Sequence, residues 1–528
     1  MTAHENITQV AEWVNLNGQR MTRHDESQKP KVDVMPDALE YTTRARSLAH
    51  SAIVIYNMQG VEADDKKEAL IMLCESEGLR FPRSRFGLAP SAKRLFDAQW
   101  WVKKLVKKSR REFEARRIAD GMVNERRELY CTDWAVMQWR AMRKKNQEFM
   151  QEMFVFNDDA WVANLATIAE HSLANPAVRR AEMMTRLAGM EEYAISKNDR
   201  ATFITITCPS KFHANSSRYK GYTPKQAQEY LCSVWAKIRA KLARMGIEQY
   251  GFRVAEPHND GCPHWHAIIF ASPENIAAIE RVCLVYALKE DGNERGAIQN
   301  RFKKERIKMR RGDDGFKGGA VAYIAKYISK NIDGLKNDGS TIGDVTDRDG
   351  NVVADDAIVT AERVLAWASI WGIRQFQQFG GERIGPWREL RRVRDAITSS
   401  AVLEIARAAA DNGDFCLYLE AAQRVADLKT LKRCDFEVAY DDGDFDAARA
   451  GLNQFGEPVI KVVGVIGDGE RIVTRRDDWR CMTEAAIHAC YDEAADEGDA
   501  VEYWSDVVEF LNVLRAAKDA ELERSCPF

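Results

Sequence analysis

Residues 249–271 constrain the fold of this 528-residue chain more than any other stretch. Gln249–Pro257 and His264–Ala271 (HWHAIIFA) each read as a strand, and Asn259-Asp260-Gly261 between them is a turn signal. The pair therefore forms a β-hairpin, which commits the chain to antiparallel pairing. Upstream, Phe203–Cys208 (FITITC) alternates with period 2 and stops at Pro209, giving another strand. Thr223 and Pro224 then open a helix, the threonine as N-cap and the proline in the first turn. That helix runs to about Met245 and ends near Gly246. The order is a β–α unit followed by a hairpin.

The surrounding texture sets the domain organisation. Residues 1–40 are polar without sustained periodicity and are expected to be disordered. Residues 41–200 read as a helical, partly basic domain, with helical runs at Ala92–Arg117 and Met122–Phe156. Residues 201–395 form the central domain. Pro273–Leu288 is helical, Arg301–Arg311 (RFKKERIKMRR) is a basic segment compatible with a strand, and Gly318–Ile332 is a helix with glycines at its start. Residues 333–358 read as a long loop rich in Gly, Asp and Asn, and 361–395 are rich in Trp and Arg. Residues 396–528 are acidic and expected to be α+β, with a hairpin near 458–475.

Charge separates the two ends of the chain. The formal net charge is −3, yet residues 401–528 carry 14 Lys+Arg against 28 Asp+Glu, and residues 1–400 carry 63 against 52. A basic body is compatible with nucleic-acid binding. No stretch approaches the ~20 apolar residues that span a bilayer, and the N-terminus has no basic-then-apolar signal pattern. The eleven cysteines include no CxxC pair, which points to reduced thiols in a cytosolic setting rather than a zinc finger. On these grounds the chain is not expected to be a membrane protein, a secreted disulfide scaffold or a highly charged disordered chain.

Two constellations could carry chemistry. Three of the nine histidines lie together at His258, His264 and His266. In a strand, residues i and i+2 share a face, so His264 and His266 can reach one ion while Trp265 packs on the opposite side. Ile268 and Phe270 continue the histidine face as an apolar surface. The partner strand can add a third ligand: Glu256 across the turn is the first choice and His258 the rival. A carboxylate with two imidazoles suits a divalent ion that also holds a phosphate. The competing readings are hydrogen-bonded structural histidines, a cupin-type site, or a zinc site that includes Cys262.

The second constellation is Tyr323-Ile-Ala-Lys-Tyr327-Ile-Ser-Lys330. Tyrosines four apart lie on one helix face, and Lys326 and Lys330 each follow a tyrosine by three residues. Near its ordinary pKa of about 10 a phenol is a poor nucleophile, and a neighbouring cation can stabilise the charge that develops. Alone, the segment reads first as an ordinary amphipathic helix with partly buried tyrosines. Together, the two constellations fit phosphodiester cleavage by a tyrosine, with a metal acting as Lewis acid.

The ordered set resembles the bacteriophage replication gene A protein (GPA) family, rolling-circle initiators of the HUH endonuclease superfamily. FITITCP at 203–209, EPHNDGCPHWH at 256–266 and YIAKYISK at 323–330 are similar to that family's first, metal and two-tyrosine motifs. WGIRQFQQFGG at 371–381 and PWRELRR at 386–392 also resemble family segments, and the likeness covers roughly residues 80–395. It implies an α+β fold, with a central antiparallel β-sheet and flanking helices. It implies Mg²⁺ or Mn²⁺ held by His264, His266 and, less directly, Glu256. Nicking of the phage origin by Tyr323 or Tyr327 would leave a 5′-phosphotyrosine and a 3′-hydroxyl primer. The second tyrosine would cut the regenerated origin, and the displaced strand would be rejoined without ATP. Lys326 and Lys330 would stabilise charge.

The expected partners are phage origin DNA, single-stranded or locally melted, with a host helicase and DNA polymerase, in the bacterial host cytoplasm. No Walker-type GxxxxGK[ST] loop is present for an ATP motor. Candidate DNA contacts are Arg306, Lys308, Arg310 and Arg311 in the basic segment, the Trp100–Arg117 segment, and Trp371 with Arg374; Arg388, Arg391 and Arg392 could contact phosphate or form surface ion pairs. A plasmid relaxase or transposase would share this chemistry. A DNA-binding regulator with a structural metal site is the non-enzymatic alternative.

Overall fold

The structure, a computed structural model, describes residues 38–309, 319–334, 345–346, 352–354, 357–432, 452–475, 479–497 and 501–525. The segment expected to be disordered lies outside them up to residue 37, as does most of the loop at 333–358. The chain forms two compact units: residues 1–114 with 432–461, and residues 115–431 with 462–528. Among the described residues no helix is long and apolar enough to cross a membrane, and no disulfide joins the described cysteines.

The first unit is helical. Helices Ala38–Asn57, Ala63–Ser76 and Leu88–Phe96, with the start of Ala98–Ala119, bury Leu48, Ile55, Leu70, Leu95, Trp101 and Leu105. Trp101 is fully buried and donates its indole N–H to the Leu95 carbonyl at 2.7 Å. Glu457 returns to this unit, accepting from Ser84 Oγ at 2.6 Å and pairing with Arg94.

The second unit is built on one antiparallel sheet. In chain order its elements are α1 (Pro176–Ser196), β1 (Arg200–Thr207), α2 (Pro224–Arg244), β2 (Tyr250–Pro257), β3 (Pro263–Ala271), α3 (Pro273–Ala287), β4 (Phe302–Ile307), α4 (Ala320–Ile332), α5 (Ala357–Trp371) and β5 (Phe376–Phe379). The strand order is β4-β1-β3-β2-β5, and every neighbouring pair is antiparallel. The fold is α+β, and the three strands read from the sequence all lie in this sheet.

Side-chain alternation explains the layering. Ile204, Ile206, Trp265, Ala267 and Ile269 face a layer that holds Trp235, Ile238, Ile279, Trp367 and Trp371. Phe203, Phe252, Ile268 and Phe270 face the other way, onto Leu187, Met190, Ile324, Ile328, Leu403 and Phe415. With both faces covered, β3 can read AIIFA without a polar break. Thr223 caps α2 as the sequence suggests: its hydroxyl accepts from Gln226 N, and Gln226 Oε1 accepts from Thr223 N at 2.8 Å.

The turn between β2 and β3 is pinned on several sides. Asp260 Oδ1 accepts from Cys262 N at 3.1 Å, and Trp367 donates its indole N–H to Gly261 O at 2.8 Å. Gly261 has φ +79°, and a Cβ there would lie 2.9 Å from Tyr130 O. Both facts require glycine at this position.

The helical reading of Met122–Phe156 is corrected at both ends. The helix spans only Asp133–Glu152, and Met153–Phe156 is a strand between Val162–Asn164 and Arg480–Thr483. MFVF is apolar and aromatic, so distant pairing outweighs helix continuation. The acidic region is mixed helix and strand, and Val462–Gly467 and Glu470–Val473 form the hairpin expected near 458–475.

Candidate metal centre and tyrosine helix

Register assembles the centre. The β2–β3 pairing sets Glu256 directly opposite His264, and the β1–β3 pairing sets Thr205 opposite His266. Opposed residues on one face bring their side chains into contact range. His264 Nε2 and His266 Nε2 are 2.8 Å apart, and Glu256 Oε2 is 3.6 Å from His266 Nε2. The ligand atoms of the three residues all lie within 4.8 Å of one another. Among the described residues this is the group of His, Cys, Asp or Glu side chains close enough to hold a metal ion. His258 instead lies against the His264 ring, centroids 4.0 Å apart, and beside His213 at 5.1 Å. Cys262 is buried outside the group, its thiol near Pro263 O at 3.9 Å.

The donors are held in the form that binds a cation. Burial lowers the His266 pKa to about 4, against the opposing pull of Glu256 and with a smaller push from Lys330. Burial also drives His264 well below the usual histidine value, helped by His258, His266 and Lys330. Both imidazoles therefore keep a lone pair at neutral pH. Thr205 Oγ1 hydrogen-bonds His266 Nδ1 at 2.9 Å, which turns Nε2 toward His264. Asn331 Nδ2 donates to Glu256 Oε1, leaving Oε2 to face the imidazoles. Two neutral imidazoles and one buried carboxylate fit a divalent cation.

Helix α4 lies over this centre. Tyr327 stacks on His266 with ring centroids 4.1 Å apart at 30°, and on Phe203 at 5.6 Å and 22°. Lys330, one turn of helix away on the same side, places Nζ 3.8 Å from Glu256 Oε2 and 5.5 Å from the Tyr130 ring centroid. Burial pulls the Lys330 pKa down, but Glu256, Tyr130 and Tyr327 outweigh it, and the net shift is upward. The amine stays charged. Tyr323 and Lys326 have helical backbone, and their side chains lie outside the described residues. Glu256, His264, His266, Tyr327, Lys330 and Tyr130 all line one cleft of about 780 Å³.

Helix α1 fixes α4 at both ends. Glu191 Oε2 accepts from Val321 N at 3.1 Å, and a carboxylate suits the positive end of a helix. A Cβ on Gly319 would lie 2.4 Å from Glu191 Oε1, so a larger residue there would have to push the carboxylate aside. At the other end Arg180 pairs with Asp333. Neither Glu191 nor Arg180 stands out in the sequence, because the contact joins distant segments. His213, hydrogen-bonded through Nδ1 to the buried Asp260 at 3.1 Å, lines the same cleft and also carries no local signal.

The candidate DNA contacts divide. Lys308 and Arg374 are exposed, and Arg374 Nε donates to Phe376 O at 3.3 Å. Arg306 is exposed and pairs with Glu280 at 3.1 Å. Arg310 and Arg311 lie outside the described residues. Trp371 is 1% exposed within the core, so no ring face is open to a base. Trp101 is likewise buried, whereas Trp100 is half-buried. Arg301, at the head of the basic segment, is buried and bonds Glu294 at 2.6 Å and the carbonyls of Ala287, Glu290 and Asp291, which makes it a loop brace. Arg388 pairs with Glu182 at 2.6 Å and Arg392 with Glu389 at 3.8 Å.

Residues 82–335 match the family model described as bacteriophage replication gene A protein (GPA). The chain is 37% identical over 421 residues to the replication gene A protein of Escherichia phage P2, covering 75% of this chain and 52% of that protein. It is 37% identical over 394 residues to the replication protein of Haemophilus phage HP1 (strain HP1c1), covering 73% and 48%. It is 33% identical over 436 residues to a protein of Salmonella paratyphi A named probable replication endonuclease from prophage-like region, covering 78% and 51%. The chain thus spans about half the length of the curated relatives it matches. No solved structure matches it.

Proposed function

Over residues 82–335 the chain belongs to the bacteriophage replication gene A protein (GPA) family, and on that premise we propose that it initiates phage DNA replication as a site-specific, single-strand endonuclease and strand transferase of the HUH type. The observation that carries the reading is the stacking of Tyr327 on His266 beside the convergent donors of Glu256, His264 and His266. The ion would be Mg²⁺ or Mn²⁺, which when bound supplies Lewis-acid withdrawal of charge from the scissile phosphate.

The chain's own groups do the rest. The phenol oxygen of Tyr327 or Tyr323 attacks phosphorus as its proton leaves, and the bond from phosphorus to the 3′ oxygen breaks. That oxygen takes up a proton and becomes the 3′-hydroxyl primer, while the 5′ phosphate stays on the tyrosine. The Lys330 ammonium offsets charge at the phenol oxygen, and Lys326 has the same role at Tyr323. The second tyrosine cuts the regenerated origin. The freed 3′-hydroxyl then attacks the first phosphotyrosine, which restores the phosphodiester and releases the phenol. Bond energy is conserved through both transfers, so no nucleotide is consumed. Exposed Lys308 and Arg374 are the proposed phosphate contacts on locally melted origin DNA. A host helicase and polymerase, in the bacterial cytoplasm, would extend the primer.

The test is incubation of the purified chain with single-stranded origin DNA and Mg²⁺ or Mn²⁺, followed by denaturing electrophoresis. A covalent protein–DNA adduct, abolished by chelator and by the double change Tyr323→Phe with Tyr327→Phe, is expected. Binding without adduct would assign the chain instead to a regulator with a structural metal. A plasmid relaxase or transposase would form the adduct on DNA other than a phage origin.

A further inference from the structure

We infer that Asn331 and Gln375 form a positioning relay that aims the Glu256 carboxylate and ties it to the backbone of the nucleophile Tyr327. The relay rests on the metal-centre reading above and gives Gln375 a part to play in the WGIRQFQQFGG segment, of which the proposed chemistry uses only Arg374.

Three buried polar groups meet in line. Asn331 is fully buried, Glu256 is 3% exposed and Gln375 is 8% exposed. Asn331 Nδ2 has two hydrogens; one goes to Glu256 Oε1 and the other to Tyr327 O at 2.5 Å. Asn331 Oδ1 accepts from Gln375 Nε2 at 3.2 Å. The amide can serve in one orientation only. Turned over, its oxygen would face a carboxylate and a carbonyl, and its NH₂ would face another donor. The two acceptors, Glu256 Oε1 and Tyr327 O, therefore fix which way Asn331 points, Gln375 supports that orientation by donating to Asn331 Oδ1, and Asn331 dictates which Glu256 oxygen is left for an ion. The Gln375 backbone is itself fixed, its carbonyl accepting from Ala255 N at 2.8 Å on strand β2, one residue before Glu256.

The geometry has a consequence that cannot come from packing alone. The carboxylate and Tyr327 O hang on the same side-chain amide, so a shift of α4 moves both together. Gln375 acts only through Asn331, so losing both should cost no more than losing Asn331.

The experiment uses the full chain and reads Mn²⁺ binding by electron paramagnetic resonance, with thermal unfolding in chelator as the fold control. Asn331→Leu keeps the number and branching of the side-chain heavy atoms and removes the donors. It is expected to weaken Mn²⁺ binding roughly 10–100-fold, the range for partners of metal ligands. Gln375→Leu is expected to weaken it in the same direction by less, and the double variant to match Asn331→Leu. Mn²⁺ affinity within about twofold of the parent in a folded Asn331→Leu chain, or losses that add in the double variant, would overturn the relay. If Asn331→Leu does not fold, Gln375→Leu alone decides, and unchanged Mn²⁺ affinity there rejects the relay. His264→Ala separates the layers: parent binding lost on His264→Ala but kept on Asn331→Leu rejects the relay only, whereas no binding by the parent rejects the metal centre with it.

Discussion

Tyr327 stacks on His266, with ring centroids 4.1 Å apart. The phenol on α4 and the imidazole on β3 thus share one face of the sheet. A substitution that removes only the hydroxyl should leave this stack intact. Tyr327→Phe is expected to keep Mn²⁺ affinity and thermal stability near the parent values and to retain one of two cleavage events, through Tyr323. Tyr323→Phe should behave in the same way, and the double variant should form no adduct. Persistent adduct in the double variant, read by denaturing electrophoresis with labelled origin DNA, would contradict the assignment.

His264 contributes to the centre, and none of the exposed cations belongs to it. His264→Ala should therefore lower nicking at least 100-fold, on the order of 3 kcal/mol or more in the transition state, while DNA affinity by gel shift changes less than threefold. Equal losses in both assays would point to a folding role.

The metal-free protein should be acid-sensitive over a defined window. In the folded chain His266 stays unprotonated down to about pH 4, whereas its ordinary value is 6.5. Between those values the unfolded state binds more protons, so stability rises with pH across the window and levels off above it. His264 is shifted in the same direction by the same burial. Urea midpoints in chelator should fall as pH is lowered from 6.5 toward 4, and His266→Gln should flatten the slope. A level profile in the parent would show that the imidazoles are not buried as described.

Trp371 and Arg374 should respond in opposite ways. Trp371 is a core residue, and truncating a buried aromatic costs roughly 3–5 kcal/mol. Trp371→Ala should therefore lower the melting temperature sharply. Arg374 is exposed, so Arg374→Ala should leave stability within about 0.5 kcal/mol and weaken DNA binding in a salt-dependent manner. Stable Trp371→Ala protein with weakened single-stranded DNA binding would restore the tryptophan as a base-stacking residue.

Much of the central sheet was legible because its signals are local. Period-2 alternation in FITIT and the Asn259–Gly261 turn mark strands over neighbouring residues, and the HxH spacing puts both imidazoles on one face whatever surrounds them. The capping box at Thr223 and Gln226 is likewise a matter of four residues. The paired tyrosines could be placed on a helix for the same reason.

What the tertiary structure alone decided depends on distant segments. Glu256 rather than His258 joins the imidazoles because the hairpin register sets it opposite His264, and register is a property of two strands. Trp371 is core because helix α5 lies against the sheet, while a tryptophan in a sequence could equally face a base. Met153–Phe156 is a strand because Arg480–Thr483 pairs with it. Glu191 acquires its partner only when α1 meets α4, and Asn331 and Gln375 acquire theirs only when α4 and the residue preceding β5 meet strand β2. A side chain's periodicity is written in its neighbours, but the group it touches is fixed by which surfaces the folded chain brings together and buries.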